Sequence, residues 1–431
     1  MSSSTFSTAR RNLVAICQLT SQHDLAENLR VCSEMVERAK ARDCKMVFFP
    51  ECFDYIGRDR AETIALAMEE HSDYISKFRE LARQNNMWLS LGGFHHKDTK
   101  NKLLPFNTHL IINQDGETSG SYQKLHLFDL DIPGKVRLME SEFSEQGTEL
   151  KSPVETPVGK VGICAVPRAV IVEQVQGAEI LTFPSSFTVN TGLAHWEALL
   201  RARAIETQCY VVAAAQTGKH NDKRSSYGHA MAVDPWGAVI AQCSETVDMC
   251  FAEINLDYVK QIRTMQPVFG HRRADLYSLI FNEKSKVCQS LDFGGHIIPA
   301  ETIFYQSGLS FAFVNLKPIV PGHVLIAPIR KVERLTQMTD QETADFFVVA
   351  KKVQKGLEGH FKAPAFAVTV QDGLESGQSV KHVHAHIVPR FENDPLGDEL
   401  HQHLQGHEDK RKARPIEEMV TEASTYRSLF Q

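Results

Sequence analysis

Residues 12–20 (NLVAICQLT) form an apolar, β-prone run that predicts a first strand. Leu25, Leu29, Cys32, Val36 and Ala39 recur at helical spacing and predict a helix over 23–40. MVFFPE (46–51) is a short apolar run that meets a proline and reads as a buried strand. Residues 60–85 read as helix, WLSLGGF (88–94) as strand, and 109–124 as a hairpin turning at Asp115-Gly116. Further strands are expected at 177–187 and 208–218, with a helix near 192–207 between them. Strands alternate with helices, and most strands are apolar on both faces. That combination predicts a layered α/β domain.

The pattern changes over 282–294 (NEKSKVCQSLDFG), which is polar and aperiodic and reads as a linker. Strands are predicted beyond it at 310–316, 323–328, 365–371 and 382–389. A helix is expected at about 340–358 with Asp340 as N-cap. Residues 395–415 alternate acids, histidines and Lys/Arg and read as a solvated segment. The expected division is a frayed start at 1–11, a first domain at 12–281, a linker at 282–293, a second domain at 294–400 and a charged C-terminal segment at 401–431.

Composition narrows the function classes. With 47 Lys+Arg against 53 Asp+Glu, the formal charge of −6 disfavours general nucleic-acid binding. No apolar run reaches the length of a membrane span. MSSSTFSTARRN (1–12) has no apolar h-region, which excludes a secretory signal; being Ser/Arg-rich and acid-free, it has the composition of a transit segment. Nine cysteines include no C-x-x-C pair, so neither a disulfide framework nor a zinc site is expected. The chain reads as reduced and intracellular.

The sharpest chemical signal is His382-Val383-His384-Ala385-His386-Ile387-Val388-Pro389. On a strand the three histidines share one face and Val383, Ala385 and Ile387 the other. Imidazoles at i, i+2 and i+4 splay apart, which disfavours a metal cage; a neutral, oriented histidine can attack phosphorus. Gly377-Gln378-Ser379 enters the strand as a small polar loop suited to anionic oxygens, and Gln371 precedes it. This segment, with FVNLKPIVPGHVLIAPIR (313–330) and VQDGLESGQSVKHVHAHIVPR (370–390), resembles the fragile histidine triad (Fhit) branch of the histidine triad family. The resemblance implies cleavage of dinucleoside polyphosphates, with His384 as nucleophile and His382 and His386 beside the reacting phosphate. It further implies that His323 is a fourth histidine and that Asn315 meets the ribose. Gln371, Gly377, Gln378, Ser379 and Val380 would border the phosphates, and His296 would lie in a nucleotide-contact segment. No cofactor is required by the resemblance; Mg or Mn would accompany the polyphosphate.

The first 280 residues resemble the nitrilase (carbon–nitrogen hydrolase) superfamily, whose chemistry needs a Cys nucleophile, a Glu base and a Lys near the oxyanion. Glu51 in FFPEC matches the base, Lys124 in YQKLHLFD the lysine, and Glu140 in RLMES a second glutamate. FPSSFTVNTGLAHWEALLRARAIETQCYVVAAAQTG (183–218) and SYGHAMAVDPWG (226–237) resemble the amidase branch acting on deaminated-glutathione-type amides. Cys164 follows Val161-Gly162-Ile163, where the family nucleophile stands, but the family's Y-D-x-R-F-P-E does not follow it. CAVPRAVIVEQVQ (164–176) can be encoded by codons that, read one base later, give V-R-F-P-E-L-S-L-W-N-R-Y. Either this segment is an out-of-frame reading, or Cys164 is the nucleophile in altered surroundings.

The expected fold class is therefore α/β. An N-terminal αββα nitrilase-like sandwich would be followed by a C-terminal α+β histidine triad domain. The expected function is a bifunctional hydrolase of nucleotide and small amide substrates, with no nucleic-acid polymer, membrane or metal site. The alternative is a nucleotide-binding scaffold on an inactive nitrilase-like platform. By resemblance the chain would form a homo-oligomer, a tetramer, in the cytoplasm, with mitochondria as the other compartment.

Overall fold

The structure is a computed structural model describing residues 12–97, 103–132, 136–163, 177–273, 289–392, 400–404 and 411–430. It divides into two compact units, Met1–Arg272 and Arg273–Gln431.

The first unit opens with β1 (Asn12–Leu19), α1 (Leu25–Ala41), β2 (Met46–Phe49), α2 (Arg60–Ala65) and α3 (Asp73–Asn85). β3 (Trp88–His96), β4 (Phe106–Ile112) and β5 (Thr118–Gln123) follow, then a small ladder of β6 (Asp129–Ile132) and β7 (Val136–Met139). After these come β8 (Val154–Thr156), β9 (Gly159–Ile163), β10 (Ile180–Thr182), α4 (Val189–Thr207), β11 (Tyr210–Ala213), β12 (Ala215–Lys219) and β13 (Ser225–Tyr227). β14 (Met231–Val233), β15 (Val239–Gln242), β16 (Asp248–Ile254) and α5 (Leu256–Met265) complete it.

Among the described residues, eight strands form one sheet in the order β13-β12-β1-β2-β3-β4-β5, with β16 also on β1. Six form a second sheet in the order β15-β14-β11-β10-β9-β8. The period-2 alternation of β1 explains how they stack. Val14 and Ile16 join a core with Val161, Ile163, Ile180 and Val211 of the second sheet. Ala15 and Cys17 face the other way, onto Cys32 and Val36 of α1 and Phe78 of α3. On the far side, Trp196, Leu200 and Ala204 of α4 cover the second sheet. The result is the expected αββα sandwich. β1, β2 and β3 run parallel, as do β9, β10 and β11, so the residues leaving β2 and β10 emerge at strand C-termini.

The second unit contains β17 (Leu291–Phe293), β18 (His296–Ile298), β19 (Ile303–Gln306), β20 (Ser310–Val314), β21 (Val324–Pro328) and α6 (Asp340–Phe361). β22 (Ala365–Val370), β23 (Ala385–Arg390), α7 (Leu400–Leu404) and α8 (Ile416–Arg427) follow. Its five-stranded antiparallel sheet has the order β19-β20-β21-β23-β22. One face packs on α6 and α8, through Phe346, Val349, Val353, Met419, Ala423 and Tyr426. The other packs Phe311, Phe313 and Leu325 under the β17–β18 hairpin, through Leu291 and Phe293.

Several expectations are corrected. The single helix over 60–85 is two, because the Ser72 hydroxyl caps a new start at Asp73. The N-cap of α6 is Thr339, not Asp340: its hydroxyl receives Glu342 N–H while the Glu342 carboxylate receives Thr339 N–H. The strand expected at 382–389 begins only at Ala385; Val383 N–H goes to the Val332 carbonyl instead of a ladder partner. The 282–293 linker overruns structure, since Leu291 and Phe293 are buried strand residues; 282–288 lie outside the described residues, as do 1–11. The 401–431 segment is not merely a charged tail. Met419, Ala423 and Tyr426 recur at i, i+4 and i+7 and bury one face of α8 in the core.

Candidate active sites

In the first unit, Pro50 stops β2 and Glu51 follows at the strand's C-terminal end. Gly92 allows this close approach: a Cβ there would lie 2.1 Å from the Phe49 carbonyl and 2.3 Å from Pro184 Cβ. Glu51 Oε1 accepts from Lys124 Nζ at 2.7 Å and from Asn107 Nδ2 at 2.7 Å. Lys124 Nζ also donates to Glu140, at 2.9 Å to Oε2 and 3.1 Å to Oε1. Phe128 N–H fixes Glu140 from the far side at 2.7 Å. Lys124 and Glu140 are buried, and only 14% of the Glu51 side chain is exposed.

Burial alone would raise the Glu51 pKa. The Lys124 ammonium, with help from the Arg224 charge and the Asn107 amide, outweighs it and holds the carboxyl below its ordinary value. Burial likewise works against the Lys124 charge, and the two carboxylates reverse that, keeping the ammonium protonated. The site therefore holds an ionised carboxylate beside a fixed cation. Cys164 lies outside the described residues; the last described residue before it is Ile163, at the end of β9.

In the second unit, backbone partners assign the protons on the histidine rings. A carbonyl can only accept, so His384 Nδ1, 2.8 Å from the His382 carbonyl, carries a hydrogen and leaves Nε2 bare. His382 Nε2 is 2.8 Å from the Pro328 carbonyl and carries its hydrogen there. A backbone N–H can only donate, so Ile319 N–H, 3.1 Å from His323 Nδ1, places the His323 hydrogen on Nε2. That Nε2–H points at His386 Nδ1 at 2.9 Å. Neutral His386 must then carry its own hydrogen on Nε2, a buried atom with no protein partner among the described residues. Burial pushes His323 down to about 3, His386 well below the ordinary histidine value, and His384 and His382 also downward. All four rings are neutral at pH 7.

The remaining residues divide by what holds them. The Asn315 carboxamide oxygen takes Lys317 N–H, and its amide nitrogen lies 3.2 Å from His323 Nε2, a contact of two donors rather than a hydrogen bond. Gln371 is buried, and its amide nitrogen has no partner among the described residues. Gln378, in contrast, spends its side chain on the loop, accepting Gly373 N–H at 2.7 Å and donating to the Glu333 carbonyl at 2.9 Å. Gly377 turns that loop in the left-handed region, and Ser379 is exposed. Val380 packs under the β17–β18 hairpin, where His296 pairs with Phe293. Phe293 sets its ring edge-on to His384 at 5.2 Å and near His382 at 5.5 Å.

Comparison with known proteins follows the same division. Residues 13–264 match the carbon-nitrogen hydrolase family and residues 298–393 the HIT domain. The chain is 58% identical to the nitrilase and fragile histidine triad fusion protein NitFhit of Caenorhabditis elegans, over 97% of each chain. The chain belongs to the nitrilase–Fhit fusion family. The crystal structure of the C. elegans NitFhit protein superposes with a TM-score of 0.85 at 56% identity, covering 97% of this chain and 99% of that one. The first unit is also 48% identical to human deaminated glutathione amidase, over 62% of this chain and 83% of that protein. Among the described residues no helix is long and apolar enough to cross a membrane.

Sequence reasoning missed three residues in the nitrilase unit. Asn107 is the second hydrogen-bond donor to the Glu51 carboxylate, beside Lys124. Gln216 donates to the Glu51 and Cys52 carbonyls at 2.9 and 3.1 Å and so fixes the backbone that carries the base. Arg224 adds positive charge near Glu51. None stands in a motif with a chemical signature of its own. The one available hint is Gly92-Gly93, where a Cβ on Gly93 would meet Asn107 Oδ1 at 2.4 Å.

Proposed function

We propose that this nitrilase–Fhit chain is a two-site hydrolase whose second unit cleaves dinucleoside polyphosphates, diadenosine triphosphate giving AMP and ADP. The observation that carries this reading is the His384 Nδ1–H bond to the His382 carbonyl, which leaves a neutral Nε2 lone pair as nucleophile. Nε2 bonds the α-phosphorus while the bridging P–O bond breaks and its electron pair leaves with ADP. ADP departs as a phosphate anion, so a hydrogen-bond donor suffices where a strong acid would otherwise be needed. His386 Nε2–H supplies that donor, and Gln371 offers its unpartnered amide to a phosphate oxygen. Water then attacks the nucleotidyl-histidine, the P–N bond breaks, AMP leaves, and one proton passes to solvent.

For the first unit the proposed reaction is hydrolysis of a small amide of deaminated-glutathione type, in line with the name of the human relative. Glu51 would shuttle the proton and Lys124 would stabilise the tetrahedral oxyanion. The nucleophilic thiol would come from the segment that begins at Cys164.

The test is turnover of diadenosine triphosphate by the full chain and by His384→Asn. The variant is expected to lose activity by on the order of 10⁴-fold or more, as removal of a covalent nucleophile does, while still binding the nucleotide. Binding without turnover in the wild type would overturn the hydrolase reading and favour a nucleotide-binding scaffold.

A further inference from the structure

Cys243 and Cys250 bracket the connection from β15 to β16, CSETVDMC, and this connection joins two different sheets. β15 ends the order of the six-stranded sheet, while β16 lies on β1 in the eight-stranded one. The two cysteines nevertheless meet at one backbone group. Cys243 N–H donates to the Ala230 carbonyl at 2.8 Å, and the Cys250 thiol reaches the same oxygen at 3.6 Å. The two thiols are also hydrogen-bonded to each other. Both are buried in the core between the sheets, where Cys250 stands opposite Ile16 of β1. Cys17, Cys32 and Cys44 belong to the core on the other face of that sheet, so they do not share this site. The connection over the thiols is exposed at 244–247, yet its backbone is pinned. Gln18 donates its amide to the Ser244 and Thr246 carbonyls at 2.6 and 2.7 Å, and Thr217 its hydroxyl to the Glu245 carbonyl at 2.9 Å. The fold therefore holds the two sulfurs together.

A single buried cysteine is an inert, small apolar side chain. A second thiol in hydrogen-bond contact changes that. The Cys250 thiol, donating to Cys243, outweighs burial and holds the Cys243 pKa below its ordinary value. The same bond, together with burial, pushes that of Cys250 up. One sulfur is thus prepared to attack and the other to resolve. We propose that Cys243 and Cys250 are a modification site for hydrogen peroxide, closing to a reversible disulfide that staples the two sheets of the first unit. The Cys243 thiolate bonds one peroxide oxygen as the O–O bond breaks, which leaves a sulfenic acid on Cys243. The departing hydroxide takes up the proton that Cys243 released and becomes water. The Cys250 thiolate then bonds the Cys243 sulfur as the S–O bond breaks, and the second hydroxide leaves as water with the Cys250 proton. Two thiols and one peroxide give one disulfide and two waters. Both thiols are reduced in the structure, so the staple is a second, oxidised state of the unit.

Mass spectrometry on the full-length protein tests this without any substitution. The protein would be treated with a small excess of hydrogen peroxide, quenched, unfolded in guanidinium chloride, alkylated with iodoacetamide and digested with trypsin. The peptide that carries both cysteines is expected to lose two hydrogen atoms and take no alkyl group, and to take two after dithiothreitol, with Cys17, Cys32 and Cys44 alkylated throughout. Thermal unfolding of the first unit should shift upward on oxidation, because the cross-link constrains the unfolded chain, and return with dithiothreitol. In Cys250→Ser the upward shift should vanish, and dimedone should label Cys243 as a sulfenic acid that nothing resolves. Two alkylated thiols on that peptide after peroxide, sulfinic acid on Cys243 beside a reduced Cys250, or a bond from either sulfur to another cysteine overturns the proposal. A disulfide that forms but leaves thermal unfolding unchanged also overturns it, since the bond would then tie nothing together.

Discussion

His386 shows how much of a site is decided by atoms that never touch substrate. Its Nε2 carries a hydrogen only because His323 presents Nε2–H to its other nitrogen, and His323 does so only because Ile319 N–H occupies Nδ1. Replacing His323 by Phe removes the donor and frees His386 to take the other tautomer, with Nε2 bare where the proposed reaction needs a donor. The expected result is a fall in kcat of about 10- to 100-fold, the usual cost of losing an orienting partner, with KM little changed. The pH profile carries a second signature. In the proposed reaction both His384 and His386 act in the neutral form, and burial lowers both pKa values, so protonation begins only below the ordinary histidine range. Activity of the wild type should therefore hold as pH falls through about 6.5 and decline at lower pH. An acid limb centred at or above 6.5 would contradict this assignment. The histidine triplet was legible in the sequence because three imidazoles alternating with buried apolar residues have no ordinary core explanation. The proton assignment was not legible, since it depends on the Pro328, His382 and Ile319 backbone groups, whose side chains are unrelated to the task.

At the scale of elements, alternation and helical spacing located most of the scaffold. Val383, Ala385 and Ile387 do enter the core, even though the ladder starts only at Ala385. Two kinds of feature escaped. Thr339 and Glu342 form a capping box whose T-x-x-E spacing is present in the sequence, but the adjacent Asp340 offers the same chemistry one residue on. In α8 the surrounding charges masked a three-residue apolar stripe. Its consequence is measurable. Tyr426 is buried against Phe304, ring centres 5.3 Å apart, and its hydroxyl donates to Glu422 at 2.6 Å. Tyr426→Ala should destabilise the second unit by about 3–5 kcal/mol, read by denaturant unfolding, whereas Tyr426→Phe should cost about 1 kcal/mol. If Tyr426→Ala unfolds like wild type, the helix is not part of the core.

On the scale of the whole molecule, two unrelated chemistries share one chain. In the proposed reading, one would use a thiol, a carboxylate and a fixed cation on a carbon–nitrogen bond; the other would use neutral imidazoles on phosphorus. Each motif was readable because its chemistry demands unusual residue types, whereas Asn107, Gln216 and Arg224 are ordinary residues brought together only by the fold. The interruption at 164–176 bears on the first chemistry alone. The transcript between the codons for Gly159 and Glu179 is expected to read through an I-C-Y-D-x-R-F-P-E stretch. A transcript that encodes CAVPRAVIVEQVQ as it stands would leave Glu51 and Lys124 without the surroundings that the thiol requires.

Covalent catalysis by His384 is tested most directly within a single turnover. The full-length protein would be mixed with diadenosine triphosphate, quenched within the first turnover, and its peptides analysed by mass spectrometry. AMP bound to His384, absent from His384→Asn and lost on further incubation as free AMP appears, is the expected result. Full turnover with no nucleotide on any histidine at any quench time, accompanied by inversion at a stereochemically labelled α-phosphorus, would mean that water attacks the phosphorus directly and that His384 is not the nucleophile.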